Sequence, residues 1–221
     1  MRINKYIAAA TGLSRRAADR AIEEGRVLVN GAQPRPGQEI SEADEVQLDH
    51  HRLETRAATQ TIILNKPVGY VVSREGQGSQ TIYDLLPSEL HHLKPVGRLD
   101  KDSSGLLLLT DDGQLAQQLT HPSYQKTKLY DVTLDKPLAP IHRQMISDHG
   151  LQLEDGHSRL LLERIEEGND LDWRVIMHEG RNRQIRRTFA ALGYTVTRLH
   201  RTHFGQYRLD GITPGQYHPA A

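Results

Sequence analysis

Apolar positions recur at helical spacing from the start of the chain, at Ile3, Ile7 and Ala10, which predicts a first helix ended by Gly12. Ser14 is placed to N-cap a second helix, in which Ala17 with Ala21 and Ala18 with Ile22 form i,i+4 pairs before Gly25. Two short strand-like pieces follow at 26–30 and 45–48, separated by turn residues at Asn30-Gly31 and across 34–37. The stretch 50–60, HHRLETRAATQ, carries one apolar residue larger than alanine and shows no period. The pattern therefore predicts a small compact unit over 1–49, a linker over 50–60 and a larger unit over 61–221.

From Thr61 the texture changes to strands with interspersed helices. Strands are expected at 61–64 and 70–73, on either side of a Lys66-Pro67-Val68-Gly69 turn. A further strand at 95–99 would deliver Asp100 to a loop, and the unbroken apolar run at 105–110 predicts a strand covered on both faces. Asp111 with Gln114 suits a capping box for a short helix carrying Leu115 and Leu119 and stopped by Pro122. Strands are expected at 128–134 and 173–177, with an acidic surface turn over 163–170. Residues 182–192 form an amphipathic helical pattern with Ile185, Phe189 and Leu192 on one stripe. Arg183 and Arg187 fall opposite that stripe, and Arg186 sits on its flank.

Composition narrows the chemistry. The chain has 221 residues, 37% of them hydrophobic and 5% aromatic, with no cysteine. Disulfide frameworks, thiolate catalysis and cysteine zinc sites are excluded. The longest apolar runs, 6–10 and 106–109, fall far short of the roughly 20 residues that span a bilayer. The opening MRINKYIAAATG has too short an apolar stretch for a signal peptide, so a cytoplasmic location is expected. Net charge is zero, from 28 basic and 28 acidic residues, but the charges are segregated. Residues 1–30 hold six basic residues against three acidic ones, and residues 174–208 hold eight arginines against Glu179 alone. Such segregation can give a neutral molecule a positive face suited to nucleic acid, and arginine is the residue that binds phosphate bidentately. Arg15, Arg16 and Arg20 crowd the front of the second helix, where they oppose its dipole, as expected of charge kept for a partner.

Several signatures are missing: there is no Walker A loop, no GxSxG elbow and no HExxH. Gly76-Gln77-Gly78 lacks the third glycine of a dinucleotide fingerprint, and His200 and His203 have no evident acidic companion, so neither a cofactor nor a metal site is expected. The stretch GRLDKDSSGLLLLT at 97–110 is different. It presents Asp100 beside arginine, either as a turn-capping carboxylate or as a functional one.

That stretch resembles the catalytic motif of pseudouridine synthases, in the RsuA-type and RluB-type branch that modifies ribosomal RNA. Asn65-Lys66-Pro67-Val68-Gly69 resembles the family's first motif, Lys128-Leu129-Tyr130 its tyrosine segment, and HEGRNRQIRRTFAALG at 178–193 its arginine-bearing motif. Residues 1–49 are similar to an S4 RNA-binding domain. The pattern departs from the family at Thr188, where methionine is frequent, and no family motif falls between 137 and 172. The resemblance implies an α+β chain: a small S4-like domain joined to a mixed α/β catalytic domain with a largely antiparallel central sheet.

It further implies a monomeric enzyme that isomerises uridine in ribosomal RNA without a cofactor, with the large subunit favoured by GRNRQIRR. Asp100 would act at C1′ of a flipped-out nucleotide, Arg186 would pair with Asp100 and fix its rotamer, and Tyr130 would pack on the uracil. Arg98 would help displace the base. Arg15, Arg16, Arg20, Lys66, Arg181, Arg183 and Arg187 would contact RNA, largely through phosphate. The competing class is a non-catalytic RNA-binding or ribosome-assembly factor, which would need no intact catalytic set.

Overall fold

The computed structural model describes residues 1–220 apart from Glu42, 55–58 and 122–125. The chain divides into two compact units, Met1–Gln60 and Thr61–Ala221.

In the first unit, α1 (Ile3–Thr11) and α2 (Arg15–Glu23) share an apolar cluster with a three-stranded antiparallel sheet. The strands are β1 (Val27–Val29), β2 (Val46–Leu48) and β3 (His51–Arg52). Ile3, Ile7, Ala18, Ala21, Ile22, Val27 and Val46 meet in the core, as the helical spacing requires. Ser14 Oγ accepts from the Ala17 amide at 3.1 Å and caps α2. Arg15, Arg16 and Arg20 project from this helix and are exposed. The linker expected over 50–60 starts later than predicted. β3 pairs with β2, Leu53 packs on the core, and the Tyr6 hydroxyl donates to the Leu53 carbonyl at 3.0 Å. Residues 55–58 of that linker lie outside the described residues.

The second unit is built on β4 (Thr61–Lys66), β5 (Lys94–Pro95), β6 (Ser104–Thr110) and β7 (Lys128–Leu134). There follow a small hairpin of β8 (Leu151–Leu153) and β9 (Gly156–Ser158), then β10 (Leu161–Arg164), β11 (Asp172–Met177), β12 (Val196–Phe204), β13 (Tyr207–Arg208) and β14 (Tyr217–Pro219). The central sheet runs β10-β11-β7-β12-β6-β4-β14, with β13 on β12 and β5 on β6. Every pairing in it is antiparallel except β12 with β6. The apolar run of β6 is explained by its place: Leu107 and Leu109 enter one core cluster, Leu106 and Leu108 another. Among the described residues this unit has three α-helices: α3 (Gly113–Thr120), α4 (Pro140–Gln144) and α5 (Gln184–Ala190). Among the described residues no helix is long and apolar enough to cross a membrane.

The local expectations hold in kind and shift in detail. Residues 70–73 form no strand, only an isolated bridge from Val71 to Thr81. The strand expected at 95–99 stops at Pro95, because Gly97 takes φ 73° and turns the chain into a loop. Asp112, not Asp111, caps α3, accepting from the amides of Gln114 and Leu115 at 2.8 and 3.1 Å. The helix expected at 182–192 starts at Gln184, since Arg183 sits in the left-handed region at φ 47°. Pro122, the expected stop of α3, lies outside the described residues.

Gly105 fixes how closely β6 and β12 approach. Its φ is +105°, and a Cβ there would lie 2.3 Å from the Arg201 carbonyl oxygen and 2.6 Å from its amide nitrogen. Gly105→Ala is therefore expected to cost about 3 kcal/mol through strain and overpacking, read as a lowered urea midpoint. An unchanged midpoint would contradict this close approach.

Candidate functional site

Strand register places Lys66, Gly105, Arg201 and Tyr130 in one row across β4, β6, β12 and β7. Tyr130 is buried, two strand spacings (roughly 10 Å) from Gly105. The loop 96–103 leads directly into this row at β6.

Lys66 is fully buried, with 0% exposure. Its ammonium donates to the carbonyls of Pro67, Asp100 and Ser103 at 3.0, 3.1 and 2.7 Å. It cannot touch RNA, and the expected RNA contact at this position is corrected: the lysine ties the Asp100 loop to the end of β4. Burial pulls its pKa down to about 8, opposed by the nearby charges of Asp100 and Asp102. Below that pH the ammonium matches three donors to three carbonyls, and deprotonation removes one donor. Between about 8 and the ordinary 10.5 the unfolded chain holds the proton more tightly than the folded one. This group therefore favours the folded state increasingly as pH rises across that window, while the loop loses a tie.

The Asp100 carboxylate is partly exposed and accepts no hydrogen bond among the described residues. Among the described residues its one ion-pair partner is Arg183, with Nη1 at 3.6 Å from Oδ2. The expected pair between Asp100 and Arg186 does not form. Arg186 instead places Nε 3.3 Å from Asp102 Oδ2 and donates through Nη2 to the Asp102 carbonyl at 2.8 Å and through Nη1 to the Val196 carbonyl at 2.6 Å. Two carboxylates two residues apart compete for the guanidinium groups, and Asp102 takes both. Arg183 donates to it bidentately, at 2.9 Å in each arm. The Arg183 bond holds the Asp102 carboxyl below the usual range, and Arg183 is raised in turn by Asp102. Burial lowers the Arg186 guanidinium. Asp100 is left beside positive charge but unbonded, a carboxylate able to act as nucleophile or base on an electron-poor carbon.

The other arginines of the 178–193 motif are also engaged within the chain. Arg187 pairs with Asp155 at 2.6 Å. Arg181 donates to the Asp155 carboxylate and carbonyl at 3.0 and 3.1 Å and to the His157 carbonyl at 2.8 Å. An RNA phosphate would have to displace these carboxylates, as it would Asp102 from Arg183. Arg98 is exposed and makes no ion pair among the described residues. Thr188 replaces the frequent methionine without leaving a buried polar group unsatisfied: its hydroxyl donates to the Gln184 carbonyl at 2.9 Å and meets Ser158 Oγ at 2.8 Å. Sequence reading missed the positioning by Lys66, the capture of the arginines by Asp102, and Arg201. Only Asp102 carried a signal, its charge two residues from Asp100. Among the described residues no cluster of three or more His, Asp or Glu is suited to a metal.

Lys66→Met is expected to raise amide exchange across residues 100–104 by about tenfold or more while the β6–β12 amides keep their protection. In the unmutated chain the same loop amides should lose protection, beyond the intrinsic base dependence, as pH rises through about 8. Equal protection in the two proteins would contradict the tie.

The family model described as RNA pseudouridylate synthase matches residues 60–191, and that of the S4 domain residues 1–46. The ribosomal small subunit pseudouridine synthase A of Pasteurella multocida is 37% identical, over 98% of this chain and 94% of its own length. The ribosomal large subunit pseudouridine synthase B of Xanthomonas campestris is also 37% identical, over 94% of this chain, which spans only 44% of that relative. A solved pseudouridylate synthase covers 100% of the chain, with 96% of its own length matched, a TM-score of 0.70 and 34% identity. With its fold and motifs in agreement with these matches, the chain belongs to the RNA pseudouridine synthase family, as an isomerase with an N-terminal S4 domain.

Proposed function

We propose that this chain converts specific uridines of ribosomal RNA to pseudouridine, with Asp100 acting at C1′ of a nucleotide turned out of the RNA stack. The observation that carries the reading is the Asp100 carboxylate itself, held by a loop whose carbonyls are tied to Lys66 and left without a hydrogen bond of its own. Isomerisation breaks N1–C1′, forms C5–C1′, releases the C5 proton and returns a proton to N1. Nothing is gained or lost overall. Tyr130 packs on the base from the β7 side, and Arg186 and Arg183, organised by Asp102, supply positive charge around the loop. Arg98, exposed on the loop, takes the place of the displaced base.

Exposed Arg15, Arg16 and Arg20 on α2 hold RNA phosphate, joined by Arg181, Arg183 and Arg187 once phosphate displaces their carboxylates. The location is the cytoplasm, and the working form is a monomer. Relatives named for both ribosomal subunits match at equal identity, so the preference for the large subunit gains no support from them.

Asp100→Asn keeps the shape and removes the charge. Conversion should fall at least about 10⁴-fold while RNA affinity stays within about threefold. Mapping by carbodiimide modification and primer extension, on both ribosomal RNAs from cells with and without the gene, should show one or a few sites lost. Conversion surviving Asp100→Asn would overturn the role. Six arginines reaching phosphate give a slope of log affinity against log salt of about −4 in filter binding. A slope near zero would contradict the phosphate contacts.

A further inference from the structure

Arg201 is the one member of the sheet row whose charge has no visible purpose. It is 2% exposed, and among the described residues no carboxylate lies within ion-pair distance of it. Nε donates to the Leu106 carbonyl at 2.8 Å, while Nη2 is buried without a hydrogen-bond partner. The guanidinium carbon lies 4.9 Å from the Phe204 ring centre and 6.0 Å from that of Tyr130. Lys128 reinforces the positive character, with Nζ 5.3 Å from the same Phe204 ring and, among the described residues, hydrogen-bonded only to the carbonyls of Lys126 and Glu179. Burying a cation in this way is costly unless a counter-charge arrives. The register puts Arg201 between Tyr130 and Gly105, in the row into which the Asp100 loop leads at β6.

We infer that the missing counter-charge is the departing base, and that Arg201 is the fixed cation that stabilises the uracil anion while it is detached. The inference rests on the uridine-isomerising reading. When N1–C1′ breaks, its electron pair leaves on N1, whether Asp100 has attacked C1′ or removed a C2′ proton. The base is therefore anionic on either route until C5 bonds to C1′; on the second route the C2′ proton is then returned by Asp100, and on both the C5 proton is lost and N1 is protonated. A carboxylate partner would already have neutralised the arginine and blunted this effect. Its absence leaves the full charge for the transition state, where preorganised electrostatics act most strongly. Arg201 acts beneath Tyr130, so it is a positioning and electrostatic residue whose charge stays in place throughout.

The test is a leaving-group comparison using target RNA that carries uridine or 5-fluorouridine at the mapped site. Fluorine makes the departing base a weaker base that needs less stabilisation. Loss of the N-glycosidic nucleoside is followed in single turnover by nucleoside analysis of digested RNA. Arg201→Gln should slow uridine about a hundredfold, with RNA affinity within about threefold, and the deficit should shrink to about tenfold or less on 5-fluorouridine. Arg201→Lys, which keeps the charge, should recover most of the rate on both substrates. Equal deficits on both would mean that Arg201 only holds the sheet together, and would overturn the inference while leaving the isomerase reading intact. Failure of the unmutated chain to convert either nucleotide would instead defeat the isomerase reading itself. Should both variants fail to fold, the unmutated enzyme still decides the matter. With the cation in place, its rates on the two nucleotides should differ by less than about threefold, and a steep preference for the fluorinated base would overturn the inference.

Discussion

A single buried ammonium holds the candidate site in shape. Lys66 gathers three backbone carbonyls, two of them from the loop that carries Asp100, and fastens that loop to the end of β4. Hydrogen bonds from a charged donor contribute roughly 1.5–3 kcal/mol each, against several kcal/mol for taking the charge out of water. The arrangement is favourable only when all three bonds are made together, which is why one geometry of the loop is selected. The Asp100 carboxylate can then remain unbonded without the loop wandering, because its position is set through its backbone.

Asp102 complements this tie from the other side of the loop. It gathers Arg183 and Arg186 and so keeps two cations near Asp100, of which Arg183 reaches it at ion-pair distance without a hydrogen bond. Asp155 does the same for Arg181 and Arg187. A chain of zero net charge thus holds the arginines of its 178–193 motif in intramolecular ion pairs, and partly exposed pairs of this kind are weak, as the proposed exchange for RNA phosphate requires.

The elements that local pattern could reveal were the ones with strong local causes. The apolar run of β6, the Ser14 cap and the stripe of Ile185 and Phe189 each follow from a few neighbouring residues. Boundaries moved where a single backbone choice intervened, as at Gly97, Arg183 and the selection of Asp112 over Asp111. The functional geometry was less legible because it is non-local. Periodicity put Arg186 on the flank of its helix, but it could not say which of two nearby carboxylates the side chain would meet. Lysine is so seldom buried that Lys66 reads as a surface contact. The row joining Lys66, Gly105, Arg201 and Tyr130 exists only through the register of four strands drawn from distant parts of the chain.

If the site exchanges the N1 linkage of a uridine for a C5 linkage, loss of the C5 hydrogen is the most direct signature. Ribosomal RNA transcribed with [5-³H]uridine and incubated with the purified chain should release tritium to water, rising to a plateau set by the number of target uridines. Absence of release from naked RNA and from both isolated subunits and their precursors would contradict this exchange.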